Sequence, residues 1–342
     1  MLNNEQKGGQ MAYELNRRNL LYAGLGAAAG SLPLVSHSAA RAQGANARWA
    51  SFTPGFMLLL TEFVRYHKLD QKNGFTLGTP TVYTSVPTYY SDFDVGNYDV
   101  CIGSWDTFAV RYLGGVPCKY ICTITNADMI NIMSSSKGGP KSVDELAGRV
   151  LAAPQSTGTY RMARAVLQEF HNIDLEAVTK VQNVTNAAAS VALLRAGTAQ
   201  AALSWEPNVS NGIAEDPSLQ VLFNVGASYA KATGQVLPYF GVAARRELLE
   251  RDPGIGARID GTFRDCIAGI LGDVPGAVKL VGERTGFKPE VLAEAITSKR
   301  LSFTYASMAD PAGRKAVDQA VDFCVRNKLI ASKPDDGFFF KG

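Results

Sequence analysis

The feature of this sequence that most limits its fold is a repeated alternation of short apolar runs with helical patterns. Each short run is followed by a polar turn and then by apolar residues spaced three and four positions apart. One series of this kind starts near Trp49 and a second near Lys141. Strands that alternate with helices predict β-α-β units, and therefore mainly parallel sheets with helices on both faces. We predict an α/β fold in which this arrangement occurs twice.

The second series is the more regular of the two. It predicts four short strands separated by helices, at Arg149–Ala153, Val178–Val181, Ala201–Ser204 and Gln220–Asn224. A further apolar strand is predicted at Tyr239–Ala244, and the chain beyond it is predicted to be mostly helical. The three phenylalanines at 338–340 are expected to pack into a groove of the protein.

The composition bounds the class of protein. The chain has 342 residues, of which 46% are apolar and 19% charged, which is typical of a globular chain and not of a disordered one. This length suits two domains of roughly 150 residues each. The formal net charge is only +3 and no basic run follows the first 42 residues. The sequence therefore gives little electrostatic support for binding nucleic acid.

The N-terminal segment has the three parts of a secretory signal peptide. Arg17 and Arg18 precede a short stretch rich in Ala and Gly, and small residues in an Ala-x-Ala frame follow it. The apolar stretch is shorter than the roughly 20 residues of a membrane-spanning helix. We expect residues 1–42 to be a signal peptide that is cleaved after Ala42, which would place the protein in a bacterial periplasm. The paired arginines resemble a twin-arginine export signal, and an ordinary secretory signal is the alternative.

The cysteines do not form a recognisable disulfide framework. Their number is odd, their spacing is irregular and each lies among apolar residues, at Cys101, Cys118, Cys122, Cys266 and Cys324. Such residues are expected to be buried thiols. A bridge from Cys122 to Cys101 or Cys118 stays open as an alternative in an oxidising compartment.

No catalytic motif stands out in the sequence. Two histidines, His67 and His171, follow the predicted signal peptide, and neither lies near a nucleophile or a cluster of metal ligands. The sequence has no His-Glu-x-x-His pattern, no Gly-x-Ser-x-Gly elbow, no phosphate loop and no dinucleotide fingerprint. We therefore predict no catalytic residue, no bound metal and no cofactor, and a binding protein rather than an enzyme.

Three polar loops are the strongest candidates for a binding site. Each follows a predicted strand and opens a helix, and open α/β sheets bind ligands at this edge. The unpaired N–H groups and the dipole at a helix start favour an anion. The candidate residues are Phe52, Thr53 and Gly55, then Ser104, Trp105 and Asp106, and then Gln155, Ser156, Thr157, Gly158 and Thr159. Any single loop of this kind is also an ordinary helix cap.

Two tryptophans at strand ends add to this prediction. Trp105 and Trp205 are expected to face a cleft, where aromatic walls are typical of small-molecule sites. Glu206 follows Trp205 and is a candidate acceptor for an amine or hydroxyl of the ligand. The alternatives are that Trp205 packs between domains, that Glu206 is an exposed cap, and that Asp106 caps its own helix.

The order of these segments resembles that of the periplasmic solute-binding proteins of ABC importers in the nitrate, sulfonate and taurine group. The resemblance spans nearly the whole chain after the predicted signal peptide. Its matching stretches are Tyr98–Asp106, Lys141–Val150, Gln155–Thr159, Leu194–Ala202 and Trp205–Pro207. The Ser-Val-x-Glu-Leu-x-Gly-Arg-Val portion is common to many two-domain binding proteins, whereas Trp-Glu-Pro is more particular to this group. Gln200 departs from the Asp that is usual at its position.

The resemblance implies a type II periplasmic binding protein fold, in which two α/β lobes are joined by two crossing strands. The crossing strands are expected near Asn131–Ser136 and Tyr229–Val242. Lobe 1 would be discontinuous, formed by residues 43–133 and 232–342, and lobe 2 would be formed by residues 134–231.

The resemblance also implies a function. The lobes would close on a small organic anion, either a sulfonate or an aromatic or aliphatic carboxylate, and the closed form would dock on a membrane permease. We expect a monomer, and the tryptophans argue against nitrate because it is too small to need two aromatic walls. One alternative is an enzyme on the same fold that acts on a pyrimidine-like molecule, although its cysteine-rich iron motif has no counterpart here. A second alternative is a ligand-sensing protein for a membrane receptor.

Overall fold

The computed structural model describes residues 46–342 of the chain. The predicted signal peptide, with its paired arginines and its cleavage site after Ala42, lies outside the described residues. The first part of the described chain alternates short strands with helices, as predicted. Its elements are β1 (Asn46–Ala47), β2 (Ala50–Phe52), α1 (Met57–His67), α2 (Leu69–Lys72), β3 (Thr76–Leu77), β4 (Thr81–Tyr83), α3 (Val86–Asp94), β5 (Val100–Ser104), α4 (Trp105–Leu113) and β6 (Cys118–Thr125).

A 3₁₀ turn at Ala127–Met129 leads into the middle part of the chain. Its elements are β7 (Ile130–Ser135), a 3₁₀ turn (Val143–Leu146), β8 (Val150–Ala153), α5 (Gly158–His171), α6 (Leu175–Val178), β9 (Lys180–Asn183), α7 (Ala187–Arg195), β10 (Ala201–Trp205), α8 (Asn208–Glu215), β11 (Leu219–Asn224) and α9 (Val225–Thr233). The four strands that the sequence predicts here are present as β8 to β11.

The last part of the chain is mostly helical, as expected, but it also contains a strand that the sequence analysis missed. Its elements are β12 (Phe240–Arg245), α10 (Arg246–Arg251), α11 (Ile255–Gly272), α12 (Val274–Val281), a 3₁₀ turn (Gly282–Thr285), α13 (Pro289–Thr297), β13 (Phe303–Ser307) and α14 (Pro311–Arg326). Proline stands in the first turn of α12, α13 and α14, where its missing N–H costs no helical hydrogen bond.

Two sheets organise these elements. The first sheet has the strand order β13-β6-β12-β5, and the second sheet has the order β11-β7-β10-β8-β9. Two small parallel pairs, β1 with β3 and β2 with β4, stand beside the first sheet. A parallel bridge between Trp49 and Val100 connects this region to β5.

The prediction of mainly parallel sheets is wrong for the first sheet. Strand β12 is antiparallel to both β5 and β6, and β13 is antiparallel to β6. In the second sheet β8 is parallel to β9 and β10, but β7 is antiparallel to β10 and β11. Strands β7 and β12 are those by which the chain enters one sheet from the other. They are not reached through a helical crossover within their own sheet, so the parallel direction does not follow for them.

The chain passes between the two sheets at two adjacent places. Residues 126–129 lead from β6 to β7, and residues 234–239 lead from α9 to β12. Asn126 forms an antiparallel bridge with Pro238, and the Ala127 N–H donates to the Leu237 carbonyl at 2.9 Å. The expectation of two α/β sheets joined by two crossing strands is therefore confirmed. The first crossing precedes the predicted Asn131–Ser136, which is already part of the second sheet.

The three phenylalanines at 338–340 are buried against the first sheet. The Tyr120 N–H donates to the Phe338 carbonyl at 2.7 Å, and the Phe340 N–H donates to the Tyr120 carbonyl at 3.0 Å. These bonds extend the sheet along the part of β6 that β13 does not reach, since β13 pairs from Cys122 onward. The prediction that this segment packs into a groove is confirmed.

Helix α14 begins beside the first sheet and ends against helices of the second. The Phe323 ring is stacked on Phe170 of α5 at a centroid distance of 5.9 Å and meets Tyr229 of α9 edge-on. Arg326 forms an ion pair with Glu169 at 2.8 Å. The boundaries given above for the two lobes stay a prediction.

All five cysteines are free thiols buried in the protein. Burial raises the pKa of the Cys101 thiol to about 12. None of the helices between residues 46 and 342 is long and apolar enough to cross a membrane. Over the same residues, no group of three or more His, Cys, Asp or Glu side chains is arranged to hold a metal ion.

Candidate ligand-binding site

A small cavity lies between the two sheets. Six of its lining residues are aromatic, and the complete lining is Phe52, Met57, Val86, Tyr89, Tyr90, Ser104, Thr157, Gly158, Thr159, Trp205, Tyr239 and Phe240. Its free volume is about 20 Å³, which is room for about one water molecule. A solute of several heavy atoms therefore enters only when the two sides of the cavity move apart.

The wall on the side of the first sheet is a set of fixed aromatic rings. The Tyr89 hydroxyl donates to the Ile102 carbonyl at 2.8 Å and accepts from the Ile102 N–H at 3.1 Å. The Tyr90 hydroxyl accepts from the Ser104 N–H at 3.3 Å. The Tyr239 and Phe240 rings are stacked at a centroid distance of 4.7 Å. Rings held in this way offer a rigid apolar surface to a bound molecule.

The start of α5 forms the opposite, polar wall. Thr157 is its N-cap: the side-chain oxygen accepts from the Tyr160 N–H at 3.3 Å and donates to the Pro154 carbonyl at 2.7 Å. The N–H groups of Gly158 and Thr159 have no acceptor within residues 46–342. The positive end of the α5 dipole thus faces the cavity. The Thr159 hydroxyl is hydrogen-bonded to the Tyr239 hydroxyl across the cavity.

Gly158 lets the two sides approach closely. A methyl group at this position would overlap both the Asp106 carboxylate and the Ser104 hydroxyl. The start of α5 and the start of α4 therefore meet at one point, and only glycine fits there.

A buried ion pair joins the two sides beside the cavity at this point. The Arg161 Nε donates to Asp106 Oδ2 at 2.7 Å, and the Arg161 Nη2 donates to the Thr107 hydroxyl. The Ser104 hydroxyl also donates to Thr107, at 2.7 Å. Burial acts to lower the pKa of Arg161, but the Asp106 carboxylate more than offsets this, so that pKa is raised. The guanidinium therefore stays charged and the pair joins α5 to α4.

A second ion pair, between Glu206 and Arg300, joins the two sides of the cavity nearby. Glu206 is fully buried, and its Oε2 accepts from the Ser210 N–H at 3.1 Å. Its Oε1 lies 3.3 Å from the Nε of Arg300, which lies in the connection between α13 and β13. Burial raises the pKa of Glu206 above its usual range.

The structure brings together about half of the sequence-predicted site residues. Those that line the cavity are Phe52, Ser104, Thr157, Gly158, Thr159 and Trp205. They come from both sheets, and their contacts with a ligand stay a prediction.

The structure places Thr53 and Gly55 away from the cavity. The sequence predicts a helix that starts at Pro54 with Thr53 as its cap. Helix α1 begins instead at Met57, after the N-cap residue Phe56, so this prediction is wrong. The Gly55 N–H donates to the Thr285 carbonyl at 3.1 Å, and the Thr53 hydroxyl donates to the same oxygen at 3.4 Å. The hydrogen-bond donors of this loop are therefore bonded within the protein and are not available to a ligand.

Trp105 is also not a wall of the cavity, although the sequence predicts it to be one. It is fully buried, its Nε1 donates to the Pro238 carbonyl at 2.9 Å, and its backbone N–H donates to the Tyr239 carbonyl at 3.1 Å. Trp105 therefore fixes the second crossing segment. The prediction of two tryptophan walls is corrected to one, formed by Trp205.

The remaining predicted residues lie beside the cavity without lining it. Asp106 and Glu206 are the carboxylates of the two buried ion pairs, so the alternatives of a simple helix cap for Asp106 and of an exposed cap for Glu206 do not describe them. The Gln155 N–H donates to Asn183 Oδ1 at 3.1 Å, and the neighbouring Ser156 is exposed.

Half of the cavity lining was missed by the sequence analysis: Met57, Val86, Tyr89, Tyr90, Tyr239 and Phe240. A signal was available for the tyrosines of α3, because this helix begins directly after β4 in the same strand-to-helix pattern as the three chosen loops. The Tyr239-Phe240 doublet stands where the second crossing segment, 234–239, leads into β12.

Comparison with known protein families finds a match over the middle part of the chain. The family model described as NMT1/THI5 like matches residues 93–225. None of the curated proteins compared with the chain matches it in sequence.

Solved structures match nearly the whole described chain. The alkanesulfonate-binding protein SsuA of Xanthomonas axonopodis pv. citri, bound to MOPS, matches with a TM-score of 0.68 at 17% identity, over 86% of this chain and 96% of that one. The periplasmic aliphatic sulphonate binding protein SsuA of Escherichia coli matches with a TM-score of 0.66 at 16% identity, over 86% and 92%.

A third match comes from a eukaryote. The CA3427 gene product of Candida albicans, described as having the generic periplasmic binding protein fold, gives a TM-score of 0.64 at 12% identity, over 87% of this chain and 96% of that one. At these identities the likeness shows the fold alone. The chain has the α/β periplasmic binding protein fold, as the resemblance in sequence implied.

Proposed function

We propose that this protein is the exported solute-binding component of an ABC importer, and that it captures a small organic anion between two lobes and delivers it to a membrane permease. The observation that carries the proposal is the convergence of six predicted residues, drawn from four separate segments, on one small cavity at the start of α5. The anion would be a sulfonate or an aromatic or aliphatic carboxylate.

The chemistry of the cavity suits such a solute. Two unpaired N–H groups and the positive end of the α5 dipole favour an anionic group, by about 0.3–2 kcal/mol for the dipole alone. The fixed aromatic rings provide an apolar wall for the rest of the molecule. Because micromolar affinity corresponds to roughly 8 kcal/mol, burial of that apolar part must supply most of the binding energy.

The small free volume of the cavity supports a capture mechanism. A solute enters an open form, and the two lobes close around it by bending of the adjacent crossing segments. One sequence feature supports a periplasmic location: the signal-like segment 1–42. The similarity to the SsuA proteins, which bind sulfonates and of which one is described as periplasmic, supports both the periplasmic location and a sulfonate or a related acid as the solute.

The match to the NMT1/THI5-like family model supports a second candidate, an enzyme on the same fold that acts on a pyrimidine-like molecule. The two candidates differ in what happens to the bound compound. A solute-binding protein releases it chemically unchanged, whereas an enzyme converts it.

The test is calorimetric titration of residues 43–342 with alkanesulfonates, aromatic carboxylates, pyrimidines and nitrate, followed by mass spectrometry of the recovered compound. We expect an organic anion to bind at about micromolar Kd and to be recovered intact. Trp205→Ala should weaken binding more than about tenfold, and Trp205→Phe should retain most of it because an aromatic face remains. Conversion of the bound compound, or binding of no anion in the set, would contradict the proposal.

A further inference from the structure

One carboxylate oxygen at the cavity has no hydrogen-bond donor. Asp106 is fully buried, and its Oδ2 accepts from Arg161, but its Oδ1 accepts from no group of residues 46–342. Buried polar atoms are almost always paired, and a carboxylate oxygen is among the most costly to leave without a partner.

This oxygen lies beside the polar end of the cavity, although Asp106 does not itself line it. Asp106 Oδ1 and the Ser104 hydroxyl both lie where a Cβ atom of Gly158 would stand, and Ser104 and Gly158 line the cavity. The unpaired N–H groups of Gly158 and Thr159 are at the same place. Unused acceptor and unused donors therefore stand side by side.

The neighbouring side chains do not complete the pairing. The Arg161 guanidinium donates to Oδ2 and to the Thr107 hydroxyl, and the Ser104 hydroxyl donates to Thr107. The hydroxyl of Thr159 is paired with Tyr239. No described side chain therefore donates to Asp106 Oδ1.

We propose that the captured solute carries an N–H or O–H donor beside its anionic group. The anionic group accepts from the N–H groups of α5, and the donor pairs with Asp106 Oδ1. This inference rests on the proposed function and narrows its substrate class to organic acids with a neighbouring amino or hydroxyl group.

The charges at the site also favour a solute that carries a hydrogen-bond donor. An acid without such a donor would place its own oxygen atoms against the Asp106 carboxylate, and Arg161 offsets that repulsion only in part because it is already paired with Oδ2. A donor on the solute turns this unfavourable contact into a charge-assisted hydrogen bond.

The test compares benzoate with 2-, 3- and 4-aminobenzoate on residues 43–342 by calorimetry. These probes share the aromatic body and the carboxylate, and they differ in the presence and position of one donor. We expect the best amino isomer to bind at least about tenfold more tightly than benzoate, because a hydrogen bond to a charged acceptor contributes on this scale.

Asp106→Asn should reduce this advantage to less than about threefold, since a neutral amide is a weaker acceptor and offers the anion a donor of its own. Asp260→Asn is the control. Asp260 is a partly buried carboxylate whose two oxygens accept from the Tyr305 and Ser307 hydroxyls at 2.7 and 2.8 Å, and it does not line the cavity. This variant should keep the full advantage.

The ratio of the affinities for two probes is measured on one protein variant, so a general loss of stability in that variant does not alter the ratio. Equal affinity for benzoate and its amino derivatives, binding of none of the four, or an unchanged ratio in Asp106→Asn would each overturn the inference. Tight binding of a donor-free sulfonate would overturn it while leaving the proposed function intact. Failure of every organic anion to bind would instead remove the proposed function.

Discussion

At Gly158 the absence of a single methyl group decides how closely the two sides of the cavity can approach. In Gly158→Ala, the added group would overlap Asp106 and Ser104 and hold α5 away from α4. Alanine favours the helix itself, so the expected defect lies in closure and not in folding. We expect solute affinity to fall at least about tenfold, measured by calorimetry, because a 1.4 kcal/mol loss of contact suffices.

Gly272→Ala is the matched control for this prediction. Gly272 ends α11, and a methyl group there would meet open space. Affinity should be unchanged in this variant. If Gly158→Ala also binds normally, the close approach seen in the structure is not needed for capture.

The buried Glu206 makes stability depend on pH. Burial holds its pKa in the folded protein above the 4.5 of an exposed glutamate, so the folded state holds more protons than the unfolded state between the two values. The contribution of Glu206 is full below pH 4.5 and is lost as the pH rises through the folded-state pKa. We expect the Tm of the wild-type protein, relative to Glu206→Gln, to fall as the pH is raised from below 4.5 to neutral.

Differential scanning calorimetry over this pH range checks the prediction. Glu215→Gln, at an exposed carboxylate of α8, serves as a control for the effect of removing a charge. A constant Tm difference between wild type and Glu206→Gln would show that the burial of this carboxylate is relieved in solution.

Sequence reasoning located some site residues and missed others for identifiable reasons. Thr157 to Thr159 were found because an N-cap followed by a helix is a local pattern. Trp105 was misplaced because the end of a strand presents successive residues to opposite sides, and only the position of Pro238 reveals which side faces the cavity. The start of α3 directly after β4 is a local pattern that was overlooked, but the contacts of Tyr89 and Tyr90 with β5 depend on how α3 folds back on that strand.

At the scale of elements, the segment 338–340 anchors the edge of the first sheet. Phe338 is fully buried against Tyr120 and Tyr112, and its carbonyl accepts from Tyr120. Phe338→Ala should lower the free energy of unfolding by about 3–5 kcal/mol, the usual cost of removing a buried phenyl ring. Urea denaturation monitored by circular dichroism measures it.

Deletion of residues 341 and 342 is the control for this prediction. These residues are exposed, and Lys341 contributes only a surface ion pair with Asp336. Such pairs contribute about 0–1 kcal/mol. If Phe338→Ala lowered the free energy of unfolding by no more than about 1 kcal/mol, the anchoring role would be contradicted.

The alternation of short apolar runs with helical patterns predicted most of the strands and helices, but not which strands pair with one another. The alternating pattern over Phe75–Tyr83 predicts a single strand. The structure has β3 and β4 there, with Gly78 and Pro80 between them, because proline lacks the N–H that a continuous strand would need. Strand direction in the first sheet was mispredicted because it depends on how the chain returns from the second sheet.

At the scale of the whole molecule, three polar contacts hold the two sides together beside the cavity. They are the Asp106–Arg161 pair, the Thr159–Tyr239 hydrogen bond and the Glu206–Arg300 pair. Removing one of them should favour the open form. We expect Arg300→Met without solute to have a radius of gyration above that of wild type, which is roughly 19 Å for a compact chain of this size.

Small-angle X-ray scattering measures this change. Arg195→Met is the control, because Arg195 pairs with Glu215 and both residues belong to helices of the second sheet. Its scattering profile should match that of wild type. Identical profiles for Arg300→Met and wild type would mean that the Glu206–Arg300 pair does not contribute to closure.

The general architecture was predictable because the strand-and-helix series is repeated and interrupted at the crossing segments. The residue range of each lobe was harder to predict. Helix α14 begins beside the first sheet but ends in contact with Phe170 and Tyr229, which belong to helices of the second sheet. A contact of this kind joins residues far apart in the chain and has no trace in local spacing.

The hydrogen bonds between Tyr120 and the segment 338–340 have a consequence for how copies of the protein behave towards one another. An exposed row of backbone N–H and carbonyl groups invites a strand from a second molecule and is a common origin of fibrous aggregates. Here the chain covers part of that row with its own residues. At the high concentrations of a crowded compartment, this cover would help to keep neighbouring molecules separate.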